Sequence, residues 1–380
     1  MNTLNEVNMV PIIFRNKIIT PHKAVKSPNY GNKTVLVADP WEYVEMWLKR
    51  NCDSEDARFY WAQAKQFFET SKKLSLTAAP LPIFYSFLNA VKALLIVKGV
   101  PIEGRIGHGI SIGKSKENLH SFSLENESVK IHKHGLLSEL CKYLDETITE
   151  AKTYDLQSLF YNLPYIHRAY CLTFNDEKEL FLPLVKPGFY RMTSGDIVFK
   201  GGLEATTLRT LRNKLNTTEL DPRFHLYNIT EEDAIKFSTA PEVYVLFHNS
   251  LGLKYSPSFE FTMNEAHVTR GLNGLLILHK MVRKHLHYIY GQSKLWYIKK
   301  SNNGSKRIIN RSTLTIAYSA MHRLSELARY EPMLLSKHLE SEHNWLLSEF
   351  IRIAPHQFID ELASELTGEE FMAPGYAKER

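Results

Sequence analysis

The sequence predicts an α+β protein that is mainly helical, with N-terminal and C-terminal helical blocks forming a bundle and a strand-rich insertion between them. Three observations predict this class. Helical periodicity starts near residue 40, short β-like runs punctuated by Gly and Pro follow from about residue 175, and helical periodicity returns after Gly271. We divide the chain into an irregular segment 1–35, a helical block 36–172, a strand-rich insertion 173–270 and a C-terminal helical block 271–380.

The first helical block opens at a marked helix start. Asp39 is placed to cap the helix and Pro40 takes its first position, followed by an apolar face of Trp41, Val44 and Leu48. A long amphipathic helix is predicted next, with one side formed by Phe59, Ala62, Gln66, Phe67 and Thr70.

The third predicted helix, "LPIFYSFLNAVKALLIVKG", is apolar nearly all round and ends at Gly99 and Pro101. This pattern is typical of a buried central helix. Two further helices are predicted over "HGLLSELCKYLDETITEAK" and "DLQSLFYNLPYIHRAY".

The insertion and the C-terminal block show different periods. Strands are predicted over "ELFLPLV", "GDIVFKG", "EVYVLFHN" and "SFEFTMN". Helices are predicted over "LNGLLILHKMVRKHLHYIYG", "RSTLTIAYSAMHRLSELARYE", "SEHNWLLSEFIRIA" and "APHQFIDELASEL".

Composition indicates a soluble globular protein, since 44% of residues are hydrophobic and 23% are charged. We find no apolar run as long as a membrane span, and no basic and apolar leader at the N-terminus. Cys52, Cys141 and Cys171 are widely spaced and form no CxxC pair, as expected in a reducing compartment. We therefore predict a cytoplasmic protein without membrane association.

The positive charge is concentrated in one window. Residues 280–311 contain nine Lys or Arg and no Asp or Glu, so the rest of the chain carries 6 − 9 = −3. Aromatic residues are interleaved with the cations, and this combination is typical of nucleic-acid contact. Our candidates for binding RNA or DNA are Arg283, Lys284, Lys294, Trp296, Lys299, Lys300, Lys306 and Arg307. The alternative is a solvated helix face followed by a hairpin whose aromatic residues enter the core.

Common phosphate, metal and hydrolase motifs do not match. "GHGISIGKS" places His108 where a P-loop needs glycine, and no helical pattern follows it. The close histidine pairs 132/134, 285/287 and 338/343 lack HExxH spacing and a cysteine cluster. No GxSxG elbow is present. We therefore predict no metal and no cofactor.

The stretch "MHRLSELARYEPMLL", residues 321–335, predicts a helix that ends at Pro332. Its polar residues can pair within the helix, since Arg323 and Glu326 stand three positions apart, as do Glu326 and Arg329. We expect a core-facing helix whose Arg329 and Glu331 fasten the two helical blocks together. The catalytic alternative requires four residues from both blocks to converge: Arg105, His108, Arg329 and Glu331.

Several of these segments together resemble the bacterial YaaC-like family. They are "WEYVEMWLKRN", the helices "ARFYWAQAKQFFETSKKLSLTAAPLPIFYSFLNAVKALLI", the following "GHGI", and later "LARYEPMLL" and "NWLLSEFI". The resemblance covers about residues 40–112 and 312–366. It implies a shared fold and a cytoplasmic prokaryotic setting.

The first half also resembles, more remotely, the HEPN helical bundles of bacterial toxins, RNA-cutting enzymes and defence proteins. Catalytic HEPN members carry an Arg and a His several residues apart on one helix. Here the pair Arg15/His22 includes Pro21, and the pairs 105/108 and 352/356 are too close. The resemblance therefore implies a bundle that binds RNA or a partner more than it implies cleavage.

The leading functional hypothesis is a nucleic-acid-associated or partner-binding component, with anti-phage defence implied by the HEPN resemblance. One alternative is a metal-independent HEPN-like RNase that uses Arg and His from different helices. Another is a purely structural subunit of a complex. The expected partners are RNA or DNA at residues 280–311, or another protein, and the sequence leaves open whether the chain is an enzyme.

Overall fold

A computed structural model describes residues 2–3, 9–31, 34–102, 106–113, 123–175, 177–203, 219–228, 243–247, 265–291 and 294–373. The chain forms two units, each built from segments far apart in the sequence. Unit 1 comprises Met1–Lys33, Leu180–Ile289 and Lys294–Gly304, and unit 2 comprises Thr34–Glu179, Tyr290–Ser293 and Ser305–Arg380.

The predicted mainly helical α+β class is confirmed. A single 3₁₀ turn, Pro164–Ile166, joins two of the described helices. In chain order, the described helices are α1 (Pro40–Asn51), α2 (Glu55–Ser71), α3 (Pro80–Val97), α4 (Leu136–Tyr143), α5 (Leu156–Tyr161), α6 (His167–Thr173), α7 (Glu265–Arg283), α8 (Thr313–Tyr330), α9 (Pro332–Glu340) and α10 (Asn344–Thr367).

The strands are short, apart from two long ones that follow unit 2's first segment. In chain order, the described strands are β1 (Asn2–Thr3), β2 (Met9–Pro11), β3 (Ile13–Phe14), β4 (Lys17–Ile18), β5 (Val35–Leu36), β6 (Ile110–Ile112), β7 (Ser128–Ile131), β8 (Lys152–Asp155), β9 (Phe181–Met192), β10 (Ile197–Leu203), β11 (Phe224–Asn228), β12 (Val243–Phe247), β13 (Leu286–Ile289), β14 (Leu295–Lys299) and β15 (Phe371–Met372).

Helix α3 is the centre of unit 2, as its apolar sequence predicts. It packs against α2, α8 and α10, so helices from both ends of the chain share one core. Phe87 of α3 stacks on Phe358 of α10 with ring centroids 3.8 Å apart. By length and composition, helix α3 could also cross a membrane, which we did not expect from the sequence. However, 67% of its residues are buried inside the protein. A soluble core helix meets the same criterion, so this is weak evidence for a membrane span.

The start of α1 confirms the predicted cap. The Asp39 carboxylate accepts a hydrogen bond of 2.9 Å from the main-chain N–H of Trp41. This bond fixes the buried indole of Trp41, whose ring lies 4.6 Å from that of Trp61.

We expect Asp39→Ala to lower the free energy of unfolding by about 1 kcal/mol, the usual cost of losing a side-chain cap. Asp53→Ala is the matched control, because Asp53 is exposed and precedes the next helix without capping it. Urea denaturation followed by circular dichroism measures both variants. Equal stability of the two variants would contradict this role of Asp39.

The side of α2 that we singled out is not its buried face. The buried residues are Ala57, Trp61, Ala64 and Phe68, whereas Phe59 is 61% exposed. Both stripes contain aromatic residues at helical spacing, so periodicity alone does not distinguish them. Trp61 decides the orientation, because its indole N–H reaches the main-chain oxygen of Trp41 at 3.1 Å.

Several other predictions of secondary structure were wrong. "HLHYI" continues from α7 as strand β13 and not as helix. The two C-terminal helices are one continuous α10, with Pro355 inside it. Strands β6, β7 and β8 form a three-stranded antiparallel sheet within the block predicted as helical. The N-terminal segment, predicted as irregular, holds β1 to β4, and "SFEFTMN" lies outside the described residues.

Unit 1 is organised around an eight-stranded sheet with the order β1-β11-β12-β10-β9-β14-β13, in which β2 also pairs with β9. Helix α7 packs on this sheet through Leu275, Leu278 and Val282. In the hairpin β13–β14, Tyr288 lies opposite Trp296, and both side chains belong to this core. Tyr288 and Trp296 of the basic window thus enter the core, as the alternative interpretation predicted for the aromatic residues of the hairpin, whereas Tyr290 and Tyr297 are half-buried.

Candidate functional site

Arg283, the first candidate for nucleic-acid binding, is a buried structural residue of unit 1. Its guanidinium donates to the main-chain oxygens of His22 at 3.0 Å, Lys23 at 2.9 Å and Leu286. It also lies 5.1 Å from the ring centre of Trp296. Because its donors are used to join α7 to the N-terminal segment, Arg283 does not present its charge to solvent.

Three other candidate cations of the window are also buried or opposed by acids from elsewhere in the chain. Lys299 is buried, and Lys300 is buried against Glu219 with a separation of 2.9 Å. Arg307 pairs in unit 2 with Glu177 at 2.8 Å and also with Glu125 and Asp155. Lys284 and Lys306 are exposed and Lys294 is half-buried. The apparent patch in the sequence is therefore not a continuous surface of unpaired charge.

The residues around Pro332 do hold helices together, but through a different arginine. Arg323 on α8 donates to Glu127 with an Nε–Oε2 distance of 2.9 Å and to Glu331 at 3.3 Å. Glu127 precedes β7 in the first helical block, so this pair joins the two blocks. We expected Arg329 to do this, which was wrong, because Arg329 is exposed and lies over the ring of Tyr330.

The catalytic candidates do not form one described cluster. Glu331 belongs to the Arg323 ion pair, and Arg329 is solvent-facing. Arg105 lies outside the described residues. His108 is found in a different setting, at the wall of a cavity.

A cavity of about 360 Å³ opens between α2, α3 and the chain segment just before β6 that contains "GHGI". Its volume lies at the lower end of the range for small-molecule sites. The lining combines aromatic rings, two amides, a lysine and a histidine with a few apolar side chains: Gln63, Phe67, Tyr85, Leu88, Asn89, Lys92, Ile106, His108 and Leu136. We take this cavity as the candidate functional site.

His108 is held at the cavity by its own main chain. The carbonyl oxygens of Gly107 and His108 accept hydrogen bonds from the N–H groups of Leu136 and Leu137 at 2.8 and 3.0 Å. These bonds bring Gly109 (φ +76°) and Gly135 (φ +120°) into backbone contact. Gly109 of the "GHGI" segment and Gly135 thus allow a close crossing of two chain segments.

The electrostatics of the cavity favour an anion. Burial lowers the pKa of Lys92, and burial together with the nearby charge of Lys92 lowers the pKa of His108. No carboxylate within the described part of the chain shifts either pKa upward. The ammonium group of Lys92 lies 4.6 Å from the ring centre of Tyr60, a cation–π contact.

A second histidine lies behind the first. The ring centroids of His108 and His322 are 6.4 Å apart, and Phe84 contacts both rings. Burial, and then the charges of His108 and Arg323, lower the pKa of His322 to about 3. The lowered pKa of each imidazole favours its neutral form, and Lys92 is the lysine among the described residues of the lining.

The two amides of the cavity are paired with each other. The Asn89 side-chain NH₂ donates to the Gln63 side-chain oxygen at 2.9 Å. This bond leaves the side-chain nitrogen of Gln63 as a donor and the side-chain oxygen of Asn89 as an acceptor for a ligand. If both amides are flipped, the donor and the acceptor exchange residues and both are still offered. A paired donor and acceptor suits the hydrogen-bonding edge of a planar heterocycle.

Lys92, Asn89 and Gln63 were missed in the sequence, although a signal was present. Asn89 and Lys92 are two of the few polar residues of α3, three positions apart and thus on one face. A polar pair on a buried helix requires a local partner or a cavity. His108 was identified, but its proximity to α3 depends on the tertiary crossing of two glycine-containing segments.

Comparison with known proteins gives one match. A family model described as "YaaC-like Protein" matches residues 25–366. Neither the curated proteins nor the solved structures contain a match to the chain. The described residues that line the cavity all lie inside the matched range.

Proposed function

Because the chain belongs to the YaaC-like family over residues 25–366, we propose a function for the part of the fold inside that range: the cavity binds one nucleotide unit. The ligand is a nucleoside phosphate, either free or part of a single-stranded nucleic acid. The observation that carries the proposal is the position of Lys92, which lines the cavity beside Asn89 and His108 and whose ammonium group lies 4.6 Å from the ring centre of Tyr60.

The other cavity groups support the same ligand class. The rings of Phe67 and Tyr85, 5.5 Å apart and nearly parallel, offer apolar faces beside the cavity. The amides of Gln63 and Asn89 offer a donor and an acceptor. Aromatic faces, a cation and amides are the groups with which proteins bind the base and the phosphate of a nucleotide.

This proposal moves nucleic-acid recognition from residues 280–311 to the cavity. The burial of Arg283, Trp296, Lys299 and Lys300 favours that change. Anti-phage defence, a cytoplasmic location and a protein partner stay predictions from the sequence.

We expect Lys92→Met to weaken nucleotide binding about 10- to 100-fold, the effect of losing one charge-assisted hydrogen bond. Lys73→Met is the matched control, because Lys73 is an exposed lysine just beyond α2. Isothermal titration calorimetry with AMP, GMP, CMP, UMP and inorganic phosphate measures the free ligands. Fluorescence anisotropy with short single-stranded RNA and DNA measures the polymeric ones.

The salt dependence distinguishes this cavity from an extended basic surface. One phosphate contact gives a shallow slope of log K against log salt, near one, whereas many contacts give a steep slope. Binding with a steep slope and unchanged by Lys92→Met would contradict the cavity proposal. The cavity proposal would also be contradicted if none of the tested nucleotides and oligonucleotides showed saturable binding.

A second candidate function, RNA cleavage, is favoured by the lowered pKa of His108, since a neutral imidazole can act as a general base. We propose it as the alternative use of the same cavity. Incubation with total RNA should then give discrete fragments that His108→Ala abolishes and Lys73→Met preserves. Intact RNA after incubation with the wild-type protein would eliminate this alternative.

A further inference from the structure

Three potential metal-ligating side chains meet at the end of unit 2's first segment. His167 and Cys171 are four residues apart on α6, so both lie on one face of that helix. Glu179 reaches the same point from the chain that follows α6. One donor atom from each residue lies within 4.8 Å of the others.

The three separations are close to those of ligands around one metal ion, with the sulfur and the nitrogen next to different oxygens of the Glu179 carboxylate. The Cys171 sulfur lies 3.5 Å from Nε2 of His167 and 3.7 Å from Oε2 of Glu179, and Nε2 lies 3.8 Å from Oε1 of Glu179. Tetrahedral zinc with ordinary bond lengths separates a sulfur from a nitrogen ligand by about 3.5 Å, and nitrogen from oxygen by about 3.3 Å. A small rotation of the exposed Glu179 carboxylate closes the remaining difference.

The histidine is prepared for this role by a second contact. Nδ1 of His167 lies 3.0 Å from the main-chain oxygen of Tyr161. An Nδ1–H donor to a carbonyl fixes the tautomer that presents Nε2 as the ligand atom, which is the usual arrangement of a metal-bound histidine. The His167 side chain is 3% exposed, and the Tyr161 hydroxyl is anchored in turn by the main-chain oxygen of Lys178 at 2.6 Å.

A thiol nucleophile explains the cluster less well. Cys171 is half-buried, and a carboxylate oxygen of Glu179 lies 3.7 Å from its sulfur. Reactive cysteines have the opposite environment, with cations that favour the thiolate.

We propose that His167, Cys171 and Glu179 form a binding site for a divalent transition metal of the zinc class. The three residues supply nitrogen, sulfur and oxygen, a set that suits Zn²⁺ and Co²⁺ and not Mg²⁺ or Ca²⁺. Glu179 is 47% exposed, so water has access to the fourth coordination position. This site is separate from the cavity residues and does not depend on the proposed nucleotide binding.

Co²⁺ titration of the reduced full-length chain tests the site directly. We expect one equivalent to produce the intense visible bands of tetrahedral Co²⁺ together with a thiolate charge-transfer band in the near ultraviolet. Added Zn²⁺ should displace Co²⁺ and remove both features. Azide should alter the visible bands, because the fourth position is open.

Variants assign the signals to residues. Cys171→Ser should abolish the charge-transfer band. Glu179→Gln should weaken Co²⁺ binding at least about 10-fold, because even the loss of a residue that only hydrogen-bonds to a ligand lowers metal affinity by that factor. Cys52→Ser is the matched control, because Cys52 is another partly buried free cysteine of unit 2. Circular dichroism verifies that each variant is folded.

The outcomes decide the proposal. A charge-transfer band lost in Cys171→Ser and retained in Cys52→Ser supports it. A wild-type chain without that band at equimolar Co²⁺, or a band retained in folded Cys171→Ser, would overturn it. Unchanged nucleotide binding in Cys171→Ser would leave the cavity proposal intact, so the two proposals fail separately.

Discussion

Replacing Arg323 with methionine is expected to lower the free energy of unfolding by about 3–5 kcal/mol, because Glu127 then keeps a buried charge without its cation. The side chains of Arg323 and Glu127 are each 7% exposed. His338 contributes a third polar group, with Nε2 at 3.5 Å from Oε1 of Glu127. Chemical denaturation of the purified variant measures the loss.

Two controls separate the buried pair from a general effect of charge. Arg329→Met removes an exposed arginine from the same helix and should change stability by no more than about 0.5 kcal/mol. The double variant Arg323→Met/Glu127→Leu should recover much of the loss, because both buried charges are removed together. If the double variant loses as much free energy of unfolding as the two single variants together, Arg323 and Glu127 are not coupled.

The same pair predicts sensitivity to acid. Burial raises the pKa of Glu127, but its polar contact with His338 and the charge of Arg323 outweigh burial, so the pKa lies below its ordinary value. A lowered native pKa means that the unfolded state binds the proton more tightly. The contribution of the pair is therefore fully present above the unfolded pKa and is lost as the pH falls through the folded one. Denaturation midpoints of the wild type should fall in acid more steeply than those of Arg323→Met.

Gly135→Ala is expected to destabilise unit 2 by about 3 kcal/mol or more, since a methyl group would collide with backbone and φ is unfavourable. A Cβ at this position would lie 2.4 Å from both Cα and N of Gly109, and φ is +120°. Thermal unfolding measured by circular dichroism gives the loss.

Gly99→Ala is the matched control for backbone strain. Its φ is +69°, but a Cβ there would meet nothing within 4 Å, so only about 1 kcal/mol is expected. Similar losses for Gly99→Ala and Gly135→Ala would show that the crossing of the two segments contributes little.

Local signals in the sequence were sufficient for the helices with strong caps or one-sided apolar patterns. Asp39 and Pro40 mark the start of α1, and the apolar run of α3 identifies the core helix, because these features depend on neighbours in sequence. Pro355 gave the wrong boundary, because proline normally ends a helix, yet α10 continues through it with buried residues in both flanking turns.

Features that depend on distant contacts were not predictable from one sequence. Lys300 and Arg307 look unopposed in their window, but their acids, Glu219 and Glu177, come from other parts of the chain. His108 was identified as a candidate, whereas its neighbours Lys92 and Asn89 were hidden in an apolar helix. The partner of the His167/Cys171 pair, Glu179, follows in an irregular segment that has no periodicity to place it.

The sheet of unit 1 has a consequence for the order in which the protein can form during synthesis. Met9 of β2 pairs with Met192 of β9, and Phe181 of β9 pairs with Lys299 of β14. Strand β2 therefore leaves the ribosome long before its partner β9, and β9 lacks its partner β14 until the hairpin β13–β14 has been synthesised. Such long-range pairing slows folding and prolongs the exposure of unpaired strand edges. We expect nascent chains that stop before residue 295 to depend on chaperones, whereas the chain with a complete sheet does not.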